Sequence, residues 1–250
     1  MSSRTNKPWQ HSEQAWLTAQ SLCLLKIRCD TMANLNAPVQ IHDHDQAHHL
    51  VTSVASRADF GFTTGATRAL MSCISETTKL ASDICCDGLL LHREAIKPLH
   101  QRILACSLHT LQGQHILQLH HRIFQLGVIV YFHRSVLNSL PHNLLNFLEE
   151  LLTHVKSYRD HRGGYVTLWP IFIAAVEAYK EHHQEGFREW LDNCDQMGAA
   201  NRKDIRDVIE NVWRKRLMMW QRRGTHMELG SITVDWREVM RERSCEVLLV

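Results

Sequence analysis

The segment IHDHDQAHH, residues 41–49, is the densest set of side chains able to hold a metal: His42, Asp43, His44, Asp45, His48 and His49. Imidazole and carboxylate ligands together suit zinc, nickel or copper. The plainer reading of the same residues is a solvated polar loop between helices. No H-E-x-x-H pair stands anywhere in the chain to fix two histidines on one helical face. His120 and His121 in LHHR, and His182 and His183 in EHH, read as helix-surface residues. Histidine titrates near neutrality, but no pattern among the 18 histidines ties them to a pH response.

Other candidate chemistry is thin. The tripeptide DFG at Asp59–Gly61 matches a kinase magnesium-binding motif, without the glycine-rich and catalytic-loop motifs that give it meaning. GFTTGATR, residues 61–68, has two glycines and Thr67 but no lysine to reach a phosphate. No G-x-S-x-G is present. The eight cysteines (Cys23, Cys29, Cys73, Cys85, Cys86, Cys106, Cys194 and Cys245) include no C-x-x-C pair, so they read as reduced thiols, several buried as small hydrophobes. The run Arg202–Arg223 carries eight Lys and Arg residues with Asp204, Asp207 and Glu210 between them. DNA contact is one reading and the solvated face of an amphipathic helix the other.

The elements that would position these groups are helical. Hydrophobic residues make up 44% and charged residues 22% of the 250, with a formal charge of +2. That is globular composition, and a chain this long buries roughly 75% of its unfolded surface without staples. Five prolines and eleven glycines favour long helices over a turn-rich β fold. No apolar run approaches the length of a bilayer span, and residues 1–14 lack a signal-peptide core, so the chain reads as soluble and intracellular. Helical spacing predicts helices over 13–28, from just after Gly61 to 84, 89–111 with a kink or break at Pro98, 114–140 and 142–158. Leu144, Leu148, Leu151, Leu152 and Val155 share one face of the last.

The stretch LWPIFIAAVEAYKEHH, residues 168–183, is apolar on nearly all sides from Ile171 to Ala178, apart from Glu177. A helix of that kind is buried on nearly all sides, which predicts a central helix near 170–182, with Pro170 in its first turn and Trp169 just before it. Gly186 separates it from a helix over 187–197, and Gly198 suits that helix's end. Asn201 suits the start of the next helix, and Asp235 caps a last short one over 235–242. The tryptophans at 169, 190, 213, 220 and 236 read as core anchors. An unpaired buried carboxylate is too costly, so Glu177 is expected to pair with an Arg or Lys, with Arg134 and Arg216 as candidates. The fold class is all-α, an irregular multi-helix array. Residues 1–59 read as an N-terminal irregular or helical segment and 60–250 as the main domain.

The order VIVYFHRSVLNSLP, LWPIFIAAVEAY, FREWLDNCDQMGAAN, VIENVWRKR, DWREVM closely resembles the C-terminal half of the fungal-specific transcription factor domain, of the arginine-metabolism regulator II and acriflavine-sensitivity type. Tyr131, Arg134, Trp169, Pro170, Phe172, Ile173, Ala174, Glu177, Ala178, Trp190, Gly198, Val212, Trp213, Arg216 and Trp236 carry the resemblance, over about 126–250. It implies a regulatory region rather than an enzyme: a nuclear module controlling RNA polymerase II transcription through the transcription machinery or other regulators, zinc-cluster proteins among them. A small-molecule effector is a further implied partner. Relatives read DNA with six cysteines around two zincs, a spacing this chain lacks. Direct DNA contact, membrane contact and a cofactor of its own are therefore not expected, and zinc is expected only if a zinc cluster lies upstream. The alternative is a histidine-rich helical metal-binding protein or metal-dependent enzyme built on residues 41–49.

Overall fold

A computed structural model describes residues 12–32, 54, 65–106, 115–161, 167–195, 202–224 and 226–243. The described residues form nine α-helices and two 3-10 turns, with no strand, as the composition predicts. They are α1 (Glu13–Met32), α2 (Arg68–Asp87), α3 (Leu89–Ala105), α4 (His115–Ser135), α5 (Leu145–Asp160), α6 (Leu168–Ala175), α7 (Glu181–Asp195), α8 (Arg202–Arg223) and α9 (Trp236–Glu242). The 3-10 turns are Pro141–Leu144 and Leu229–Ser231. Residues 41–49, Asp59–Gly61, Gly198, Asn201 and Cys245 lie outside the described residues.

Local chemistry sets several helix ends. Ser12 Oγ accepts the Ala15 N–H at 3.1 Å and starts α1. Asp235 caps α9 as its sequence predicts, accepting the Arg237 N–H at 2.9 Å. Gly88, at φ 89°, takes a backbone conformation that side chains disfavour, and there the chain turns from α2 into α3.

Some boundaries differ from the sequence expectation. α2 begins at Arg68, later than expected, because Gly65 at φ 68° turns the chain against His120 first. Pro98 does not end α3: Pro98 and Glu94 lie on its exposed face, where water can satisfy the carbonyl that proline leaves without a donor. Gly186 lies inside α7, not before it. A Cβ there would come within 3.2 Å of Leu152 on α5, so this glycine serves helix packing rather than helix breaking.

The core is organised around α4 and α6. From Leu119 to Phe132 every α4 residue except Arg122 is buried, and α4 packs on α2, α3, α5 and α6. All eight residues of α6 are buried, as an all-round apolar helix requires. The helix is shorter than the expected 170–182: it stops at Ala175, a turn follows over 176–180, and α7 starts at Glu181. Trp169 belongs to its first turn rather than preceding it. The indole stacks on Phe124 of α4 (centroids 5.6 Å) and donates to Thr31 Oγ1 of α1 at 3.0 Å, contacts that outweigh proline's bias on the residue before it.

The two central helices touch backbone to backbone at Gly127. A Cβ on Gly127 would lie 2.5 Å from Pro170 Cβ and 2.6 Å from its Cα. Gly127→Ala should therefore overpack this crossing and lower stability by about 1–3 kcal/mol in urea unfolding, although alanine is the better helix former.

Candidate functional site

The end of α6 is where the sequence places a lone charge in apolar surroundings, and three helices converge on it. Glu177 is 2% exposed. Its Oε1 accepts from Arg134 Nε of α4 at 2.8 Å and its Oε2 from Arg216 of α8 at 3.3 Å. The sequence asks for one cation, and the fold supplies two, both named as candidates. Arg134 also donates to the Ser139 carbonyl, tying the chain beyond α4 to the same point.

Arg216 does more than pair with a carboxylate. It is 1% exposed, and it donates to the carbonyls of Val176, Ala178 and Ile232, each at 3.0 Å. The last carbonyls of a helix have no intrahelical donor, so a buried helix end needs one from elsewhere. Arg216 supplies it to the turn that leaves α6 and adds positive charge at the helix's negative end. Burial pulls the Arg216 pKa below its usual value, and Glu177 opposes that pull. A guanidinium can serve this site because its planar fork offers five donors in fixed directions.

The other end of α6 is held from α4. His120 Nε2 accepts the Thr167 N–H at 3.4 Å, which requires a neutral imidazole. His120 and His121 are both buried, contrary to the surface reading, because α4 is enclosed on all sides. His183 is buried too. Its Nε2 meets Glu149 of α5 at 2.7 Å, with exposed His182 beside it. These three are the set of metal-capable side chains that converges among the described residues, with ligand atoms within 4.8 Å of one another. The His183 hydrogen bond holds the Glu149 carboxyl below its usual pKa, and the contact ties α5 to α7.

The remaining motif residues surround the α6 anchor. Tyr131 lies edge-on to Trp169 and shares a hydrogen bond with Thr78 of α2 at 2.9 Å. Trp213 donates to the Ala175 carbonyl at 2.8 Å, and Arg188 lies 4.9 Å above its ring. Phe172 meets Trp236 of α9 edge-on, at 5.1 Å between centroids. Val212 is buried in the same core, and Arg202 lies 5.7 Å from the Trp190 ring. Trp220 departs from the core-anchor expectation: it is only half-buried, and its Nε1 donates to Met227. The basic run of α8 is not one solvated face either, since Arg202 and Arg216 are buried while Arg206 and Lys215 pair with Asp192 and Glu242, each at 2.6 Å.

Sequence reasoning missed Arg237. It donates to the Thr31 carbonyl at 2.9 Å and lies 4.6 Å from the Trp236 ring, joining α9 to α1. Its neighbour Trp236 was the available signal.

Removing one partner of a buried ion pair leaves a desolvated charge behind. Glu177→Ala and Arg216→Met should each cost about 3–5 kcal/mol in urea unfolding. The double variant should lose less than the sum of the two. A pH effect comes from His120, whose pKa is pushed down from 6.5 to about 4 by burial, then by the charges of Arg28 and His121. Between those values the unfolded chain binds a proton that the folded chain refuses. Stability should thus be full above 6.5 and fall as pH drops toward 4, by on the order of 3 kcal/mol. Urea midpoints measured across that range for the protein and for His120→Asn should show the slope in the first and its reduction in the second.

A comparison with protein-family models matches residues 3–250 to the fungal specific transcription factor domain, so the likeness extends over the whole chain and not only its second half. No curated protein and no solved structure matches. The ordered motif helices, locked around the end of α6, and the match across residues 3–250 lead to one assignment: the chain belongs to the fungal specific transcription factor domain family.

Proposed function

We propose that this chain is the regulatory and interaction module of a fungal transcription factor, working in the nucleus on RNA polymerase II transcription through partner proteins and without a DNA reader of its own. The family match over residues 3–250 carries this reading. The electrostatics support it. Electrostatic DNA binding needs cations displayed together on one surface. Within α8, Arg216 is consumed by the α6 anchor and Arg206 and Lys215 face carboxylates, so the exposed part of the basic run is Lys203, Arg214, Arg222 and Arg223. No helix among the described residues is long and apolar enough to cross a membrane.

A partner reading also accounts for the start of α3. Leu89, Leu90 and Leu91 follow one another there at 51%, 84% and 76% exposure. Clustered exposed leucines of this kind mark protein-binding surfaces more often than isolated ones do.

The test is tethering. The full chain fused to an unrelated DNA-binding domain should change transcription of a reporter carrying that domain's site. Leu90→Asp with Leu91→Asp should weaken the effect while leaving the urea midpoint unchanged. The unfused chain should give no sequence-selective shift of DNA in a gel. A fusion without effect on the reporter, or selective DNA binding by the chain alone, would refute the reading.

A further inference from the structure

Cys73 of α2 and Cys106, the first residue after α3, stand 33 positions apart in sequence and meet in the fold. Each side chain lies close enough to shift the other's ionisation. Both line a surface cavity of about 620 Å³, whose wall also carries Arg68, Ser72, Glu76 and Arg102. Arg102 pairs with Glu76 on the same cavity wall as Cys73, where its charge favours the ionised thiol. The carbonyl of Cys106 accepts from Gln125 of α4 at 2.9 Å, which holds the end of α3 in place.

We propose that Cys73 and Cys106 are a redox-active pair that a hydroperoxide converts to a disulfide. The arrangement has what such chemistry needs: a thiol whose ionisation is favoured, a cation on the same wall, a second thiol beside it and a cavity that admits the oxidant. The division of labour follows from the contacts. Interaction with Cys106, with help from Arg102, lowers the Cys73 thiol's pKa despite burial, whereas interaction with Cys73 and burial raise that of Cys106. Cys73 is the attacking sulfur and Cys106 the one that keeps its proton.

The steps balance. The Cys73 thiolate attacks the terminal oxygen of the hydroperoxide; an S–O bond forms, the O–O bond breaks, and the departing alkoxide takes a proton to become an alcohol. Cys73 is then a sulfenic acid. The Cys106 sulfur attacks the Cys73 sulfur; the S–S bond forms, the S–O bond breaks, and hydroxide leaves with the Cys106 proton as water. Two thiols lose two electrons and one hydroperoxide gains them. The product ties α2 covalently to the end of α3.

The experiment is thiol mapping of the full chain after exposure to dilute hydrogen peroxide. Remaining thiols are alkylated under denaturing conditions, and the digest is read by mass spectrometry without reduction. The expected result is a Cys73–Cys106 linked peptide that dithiothreitol abolishes. In Cys106→Ser, dimedone should label Cys73, and Arg102→Gln should slow formation of the linked peptide in the otherwise unaltered chain. If exposed Cys85 and Cys86 are oxidised while Cys73 and Cys106 both remain alkylatable, or if Cys73 is found linked to a different cysteine, the proposal is overturned.

Discussion

A short, wholly apolar helix in the middle of a protein has one physical difficulty, and the rest of this structure is arranged around it. α6 has eight residues, all of them buried, so its terminal carbonyls and amides must find partners inside the protein. An isolated helix of this length would not form. Here Trp213 donates to the Ala175 carbonyl and Arg216 to those of Val176 and Ala178 just beyond it, His120 accepts the Thr167 amide just before the helix, and Gly127 removes the side chain that would hold α4 away. Glu177 then balances the buried guanidinium and recruits Arg134. The carboxylate and its two cations are justified less as a source of net stability than as a device that fixes one geometry. Buried ion pairs rarely exceed an apolar replacement in stability, but leaving any member without its partners is costly.

This cluster also explains why the helices come together in this order. Arg134 lies in the last turn of α4, Glu177 follows α6, Arg216 lies two-thirds along α8, and Ile232, whose carbonyl Arg216 also holds, precedes α9. Four segments spread over about a hundred residues are thus registered at one point. Trp169, Trp213 and Trp236 extend that registration outward to α1, α6 and Phe172, each through a defined ring or N–H contact. For a module whose proposed work is to respond to partners, such a joint offers a shared point through which a change at one helix reaches the others.

Much of this arrangement is legible in the sequence, and the parts that are not share a cause. The all-α class follows from periodicity, and the burial of 171–178 from the absence of any polar face. Glu177's need for a cation follows from its isolation in the run FIAAVEAYK. What periodicity cannot show is where a helix stops when the stop comes from a distant residue. α6 ends at Ala175, where Trp213 donates to the last carbonyl and Arg216 to those of the turn beyond it, although the apolar pattern runs on to Ala178. Gly186 and Pro98 mislead for a related reason. Both have the local character of helix breakers, but one is a packing contact with Leu152 and the other lies on a solvent face. The polarity of His120 and His183 suggests surface positions, because nothing in their immediate sequence reveals the helices that cover them. The Cys73–Cys106 contact joins residues that no short-range pattern relates.

The measurement that reaches the central claim most directly is amide hydrogen exchange of the native chain along residues 168–180. If the buried end of α6 is locked by Arg216, Glu177 and His120, those amides exchange only when the whole protein unfolds, with the same free energy as the most protected amides of α4. If they exchange through a smaller, local opening while α4 stays protected, α6 is not the element on which the fold depends.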